Sequence, residues 1–190
     1  MNAMHIGSRT ARRAGLITLL VASAALMLGQ GASTLAIFTD STSADAAFTS
    51  GTIDLTTSPS TVFTASAIFP GDSGSQTVTV TNSGTGALRY AMSTSATNAD
   101  GKGLAAQLEL TIKTGACAGT TTLYGAAALG SAAFGNPAQG AQAGDRTLAA
   151  AASEDLCFAW SLPSATGNAF QGAATTATFT FAAEQTSSNP

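Results

Sequence analysis

The run Thr77-Val78-Thr79-Val80-Thr81-Asn82-Ser83-Gly84-Thr85-Gly86 alternates valine with threonine and then breaks into turn formers. Period-two alternation sends Val78 and Val80 to one face of an extended chain and the three threonines to the other. A half-buried strand ending in a turn is the reading. The same signature recurs at Thr52–Thr56, Leu88–Met92, Leu108–Ile112 and Ala177–Phe181, and Cys157–Leu162 adds a further candidate that Pro163 ends. None of these runs has apolar residues at i, i+3 and i+4, and threonine is a poor helix former. Clusters of Pro, Gly, Asn and Asp at 69–72, 82–86, 100–103 and 164–168 separate them. About seven strands over ~150 residues predict an all-β fold, a jelly-roll or Ig-like antiparallel β-sandwich.

Between these strands, Ala116 to Asp155 is rich in Ala and Gly and poor in large apolar residues. It reads as a long, partly ordered excursion. Short helical turns are expected at Leu104–Ala106 and Leu148–Ala151, and an unpaired tail at Gln185–Pro190.

Composition narrows the function classes. The 190 residues carry 7 basic and 10 acidic side chains with 45% hydrophobic content, which excludes disorder throughout. Three of the basic residues, Arg9, Arg12 and Arg13, lie at the start; from Phe38 onward four basic residues face all ten acids, a net of −6. Such a surface repels phosphate backbones, so a nucleic-acid partner is not expected.

After the arginines, Ala14 to Thr39 contains no charge. A basic head followed by an apolar run is the pattern of an export signal, and this run is also long enough to span a bilayer. Two readings stand: a leader over residues 1–37 cleaved near Ala36, Ile37 and Phe38, or a retained anchor with its arginines on the cytoplasmic side. Arg12-Arg13 fits a twin-arginine signal poorly in its context. Either way residues 38–190 form a single domain working outside the cytoplasm, with membrane contact only through the leader.

Cys117 and Cys157 are the only cysteines, and neither sits in a CxxC pair or near a histidine. A disulfide is the economical reading in an exported protein, and closing so long a loop would stabilise the fold by roughly 4 kcal/mol. Two buried free thiols are the alternative.

Candidate chemistry is thin. The sole histidine is His5, inside the leader. Its loss with the leader removes Ser-His-Asp, Cys-His and HExxH arrangements. A carboxylate pair for glycoside hydrolysis is not singled out by spacing among Asp54, Asp72, Asp100, Glu109, Asp145, Glu154, Asp155 and Glu184. Asp40, Asp45, Glu154 and Asp155 offer oxygens for calcium but lack EF-hand spacing. No catalytic residue, cofactor or metal is therefore assigned. Trp160 and Phe158 lie two apart and share one strand face, which reads as core.

The most informative stretch for function is Phe38 to Leu55. Ala46 and Phe48 occupy even positions whereas Ile53 and Leu55 occupy odd ones, so the apolar face changes parity across Gly51, where a bulge or bend would reconcile them. No proline or lysine between Phe38 and Thr57 blocks edge pairing. Residues 38–50, freed by cleavage, read as a strand able to leave its own domain and complete a neighbour's sheet.

Leu35-Ala-Ile-Phe-Thr-Asp leading into Ala47-Phe-Thr-Ser-Gly-Thr-Ile-Asp-Leu, Pro70-Gly-Asp, Val78-Thr-Val-Thr-Asn-Ser-Gly, Leu88-Arg-Tyr and Thr178-Phe-Thr-Phe-Ala-Ala-Glu-Gln-Thr resemble the TasA/camelysin family. Its members are secreted proteins released by SipW-type signal peptidases and known as biofilm-matrix fibre subunits. The resemblance implies a jelly-roll subunit that assembles by donor-strand exchange, an extracellular location, and cleavage near Ala36 to Phe38. It implies a homopolymer, with other matrix or cell-wall components as further partners. Some members are described as casein-cleaving metalloproteases, which the histidine count here does not support. The cysteine pair and the Ala/Gly-rich excursion depart from shorter members. A cell-surface adhesion or binding module is the alternative function, and a secreted hydrolase stands below it.

Overall fold

Ten consecutive residues, Ser73–Asn82, form the longest strand, and its neighbours build outward from it. A computed structural model describes residues 40–189. Nine strands run in the order β1 (Leu55–Ser58), β2 (Ser73–Asn82), β3 (Leu88–Ala96), β4 (Glu109–Thr114), β5 (Thr122–Ala128), β6 (Ala133–Phe134), β7 (Arg146–Leu148), β8 (Ser153–Ser161) and β9 (Ala177–Gln185). A one-turn helix, α1 (Leu104–Gln107), precedes β4. One sheet has the order β1-β2-β8-β4-β5, all antiparallel. In the other, β9 takes one edge of β3 along its whole length while β6 and β7 share the opposite edge. The fold is an antiparallel β-sandwich, as the alternation predicts.

The inner faces follow the two-residue period. Val78, Val80, Leu110, Ile112, Leu156 and Phe158 from the first sheet are at most 1% exposed, and they meet Leu88, Tyr90 and Met92 from β3. Phe158 and Phe179 join the two sheets edge-on at 5.1 Å between centroids, and within the second sheet Tyr90 stands edge-on to Phe134 at 5.9 Å.

Asn82 is the exception in a face of valines. It is fully buried, and its Nδ2 donates to the carbonyls of Gly86, Leu148 and Ala149 while its Oδ1 accepts from the Gly84 N–H. One side chain thereby joins the β2–β3 turn to the β7–β8 turn. At the other end of β2, Asp72 N–H bonds Phe69 carbonyl, with Pro70 second and Gly71 third at φ 98°. A type II turn needs that positive φ, which glycine supplies.

Four expectations are corrected. The first strand starts at Leu55, not Thr52. Leu55 pairs with Asn82, the last residue of β2, so residues 52–54 have no ladder left and bond the turn instead. Ser83 N–H donates to Asp54 carbonyl at 2.8 Å and Thr85 N–H to Thr52 carbonyl at 3.0 Å. With residues 40–54 outside any strand, Gly51 is no bulge in a ladder; it lies against Thr85.

The 116–155 stretch is better ordered than its composition suggests. It contributes β5, β6 and β7, because single side chains suffice to anchor each: Leu129, Phe134 and Leu148 are all buried. The turn at Leu148–Ala151 is not helical, since Leu148 ends β7 and Ala151 has φ 57°. The turn at Leu104–Ala106 is part of α1.

Contacts divide the chain after Ala47. Residues 40–47 are exposed without regular structure, and the sandwich is built from residue 48 onward. Among the described residues no helix is long and apolar enough to cross a membrane.

Candidate assembly site

Ala46 and Phe48 stand in an extended, unpaired segment, and Phe48 is 93% exposed. Phe69, at 70%, is another aromatic ring left largely in water. Ile53 is 38% exposed beside Gly86, whereas Leu55 is drawn into β1 and packs on the core. Phe38, Ala36 and Ile37, with the expected cleavage region, lie outside the described residues.

The far end of the sandwich carries the complementary feature. β9 hydrogen-bonds β3 alone, so among the described residues its other edge has no strand. Nine residues from Ala177 to Gln185 leave that edge without proline or lysine. Beside its first half opens a groove of about 1080 Å³, floored by Leu108, Leu162, Trp160 and Phe179 and covered by residues 60–70. Trp160 crosses over Gly74 on the paired strand, where a Cβ would come within 2.8 Å of Nε1, and stands edge-on to Phe63. Glycine at 74 is what lets the indole lie flat there.

Phe158 is core, as its spacing suggests, but Trp160 is a groove residue. Residues 60–68 escape sequence reading altogether. Their signal is faint: Val62-Phe63 and Ile68-Phe69 are apolar pairs between two prolines with no strand periodicity.

Cys117 and Cys157 are joined, with Cα atoms 4.9 Å apart. Cys157 lies buried on the outer face of central β8, and the bond ties the β4–β5 connection down over it.

Charged groups are spent on structure. Arg146 grips both Glu154 oxygens, and Tyr90 Oη donates to Glu154 Oε1 at 2.6 Å. Burial, reinforced by that carboxylate, holds the Tyr90 phenol far above its ordinary range. Arg89, 8% exposed in its side chain, pairs with Glu184 across the β3–β9 ladder and reaches the Asn189 carbonyl. Asp155, next to Glu154, points to the opposite face and accepts from the Thr79 hydroxyl at 2.6 Å. The calcium idea for Glu154-Asp155 fails on this geometry, since neighbours on a strand cannot converge on one ion.

The class defined here is an antiparallel β-sandwich with an exposed leading segment and an open edge strand. The profile of the camelysin metallo-endopeptidase family matches residues 14–111, and the chain belongs to that family. No curated protein matches it.

The family's description implies a metal, and the residues do not fit one. Among the described residues there is no histidine, both cysteines are bonded to each other, and no three acids gather. Glu154 and Glu184 are held by arginines, and Asp100 and Asp145 by backbone N–H groups. A zinc site needs three or four convergent N, S or O ligands.

Proposed function

We propose that the protein is a secreted structural subunit that polymerises outside the cell, its leading segment adding as a strand to the sheet of the next copy. One observation carries this reading: the donor segment and the open groove lie at opposite ends of the sandwich. Residues 52–54 bond the turn at 83–86, past the end of β2, while the groove is lined by Trp160, which pairs with Gly74 near its start. The eight steps of β2 from Gly74 to Asn82 span ~27 Å. The four residues from Thr52 back to Phe48 reach ~14 Å at most. Phe48 therefore falls short of its own groove and meets that of a second copy. Head-to-tail contacts of this kind grow open filaments instead of closed dimers.

The test is filament formation by the secreted chain, seen by negative stain. Phe48→Asp, or deletion of residues 38–48, is expected to abolish filaments and leave a folded monomer. Equal polymerisation by the deleted form refutes strand donation. Cell-wall or other matrix components are further partners on this reading.

The family's description favours a second reading, a peptidase. The scattered, engaged acids weigh against it. Chelator-sensitive cleavage of casein by the pure protein would reverse that ranking.

A further inference from the structure

We infer that residues 60–68 are a removable plug, occupying the place beside β9 that a second copy's segment takes during assembly. This rests on the strand-addition reading and names what regulates it.

The plug is held by side chains only. Among the described residues, no backbone or side-chain hydrogen bond joins residues 60–68 to the remainder of the protein. The segment is pinned firmly at its borders, by the Ser58–Thr79 pairing on one side and by Gly71 N–H to Leu162 carbonyl at 2.7 Å on the other. Between these, only Val62, Phe63 and Ile68 pack on the core, each half-buried. Backbone groups in such a segment are left to water, and stretches with few buried contacts open first.

The cover also fits badly. The groove between residues 60–70 and the 166–179 stretch holds about 1080 Å³ and stands half open to water, so the segment leaves it largely unfilled. Thr166 Oγ1, on the groove wall, is buried without a partner. Buried hydroxyls of that kind are rare in finished interiors. The groove is neither closed nor filled.

A strand lying along β9 would form the backbone bonds that the plug lacks and would bring apolar side chains into the void. The occupant is residues 40–50 of a second copy, because within one chain the bonds of Thr52 and Asp54 to the 83–86 turn hold the root of that segment at the far end. Exchange of plug for strand is then favourable, and its rate is set by lifting Phe63 off Trp160. Subunits at low concentration stay closed, and assembly waits for a neighbour.

A synthetic peptide of residues 40–50 is the probe, added in excess to the secreted chain at concentrations that keep it monomeric. Trp160, the only tryptophan, reports occupancy by fluorescence, and amide exchange reports β9. The expected result is protection of amides in 177–185 together with new protease cleavage within 60–68. The binding rate should level off at high peptide concentration, and Phe63→Ala should raise that plateau about tenfold, the effect of ~1.4 kcal/mol removed from the opening step. Val62→Ala serves as a second, milder variant should Phe63→Ala fail to fold. If peptide protects β9 but neither variant changes the rate and 60–68 stays uncleaved, the plug is wrong and strand addition stands. If peptide fails to bind even the variants, strand addition falls and the plug falls with it.

Discussion

Tyr90 on β3 donates its phenolic hydrogen to Glu154 on β8 at 2.6 Å, a bond that crosses the sandwich from one sheet to the other. The same carboxylate receives Arg146 from β7, so three strands share one acid. Glu154→Ala strands a phenol and a guanidinium together and is expected to cost roughly 3 kcal/mol in urea unfolding. Tyr90→Phe, which removes a hydroxyl and leaves the ion pair, should cost about 1 kcal/mol. Equal losses from the two variants would contradict this apportioning.

Asn82 offers a test whose sign depends on pH. Asn82→Ala orphans three carbonyls and the Gly84 N–H, for roughly 3 kcal/mol. Asn82→Asp at neutral pH aims a carboxylate at those carbonyls and should be worse. Protonation restores a donor, so this variant alone should gain stability relative to wild type as pH falls from 7 to 4.

Gly84→Ala probes the mooring of the donor segment. A Cβ there would collide with the Thr52 carbonyl and come within 2.9 Å of Asp54 N. Residues 51–54 should detach, raising exchange at the Ser83 and Thr85 amides, at a global cost of about 1–3 kcal/mol. Unchanged protection at those amides would refute the contact.

Acid should weaken the fold through two carboxylates. The Arg89 guanidinium beside Glu184, and the Lys102 and Ala174 N–H groups on Asp100, hold both below their ordinary range. A depressed folded value means the stabilisation is complete above the unfolded value and is lost as pH drops through the folded one. Urea midpoints should therefore decline below about pH 4, and Glu184→Gln should flatten that decline. Asp100 is exposed and Glu184 half-buried, so added salt should reduce the effect, more at Asp100 than at Glu184.

Removing the disulfide with Cys117→Ala and Cys157→Ala closes off the constraint on a 40-residue separation and is expected to cost up to about 4 kcal/mol. Exchange should rise first in β5, the edge strand nearest the released loop. A global loss with no local signature there would argue against the tie acting on that hairpin.

The alternation of Val78/Val80, Leu110/Ile112 and Phe179/Phe181 made the sandwich legible, because one buried face imposes period two on any strand that carries it. Where pairing is not accompanied by that alternation the strands were invisible: β5 reads Thr-Leu-Tyr-Gly-Ala-Ala-Ala, and β6 is two residues long. The stretch around Phe48 was singled out in the sequence by its missing gatekeepers. Its counterpart was not, since the groove is formed by β9, α1 and the 60–70 segment meeting in space, and nothing in Val62-Phe63 records which surface it will cover. The start of β1 was misplaced because the limit came from the partner strand ending at Asn82, a property of pairing and not of residues 52–54.

Load transmission follows from how β1 is attached. It holds to β2 through four residue pairs, Leu55–Asn82 to Ser58–Thr79, and touches no other strand. On the strand-addition reading, force applied at residue 48 of a pulled filament would load the bonds of Thr52 and Asp54 to the 83–86 turn and then those four rungs, before it reaches the ten-residue β2 or the disulfide-braced β8. The weakest link is thus a short, rezippable one, a mechanical fuse that would yield and reset while the body of each subunit stays intact.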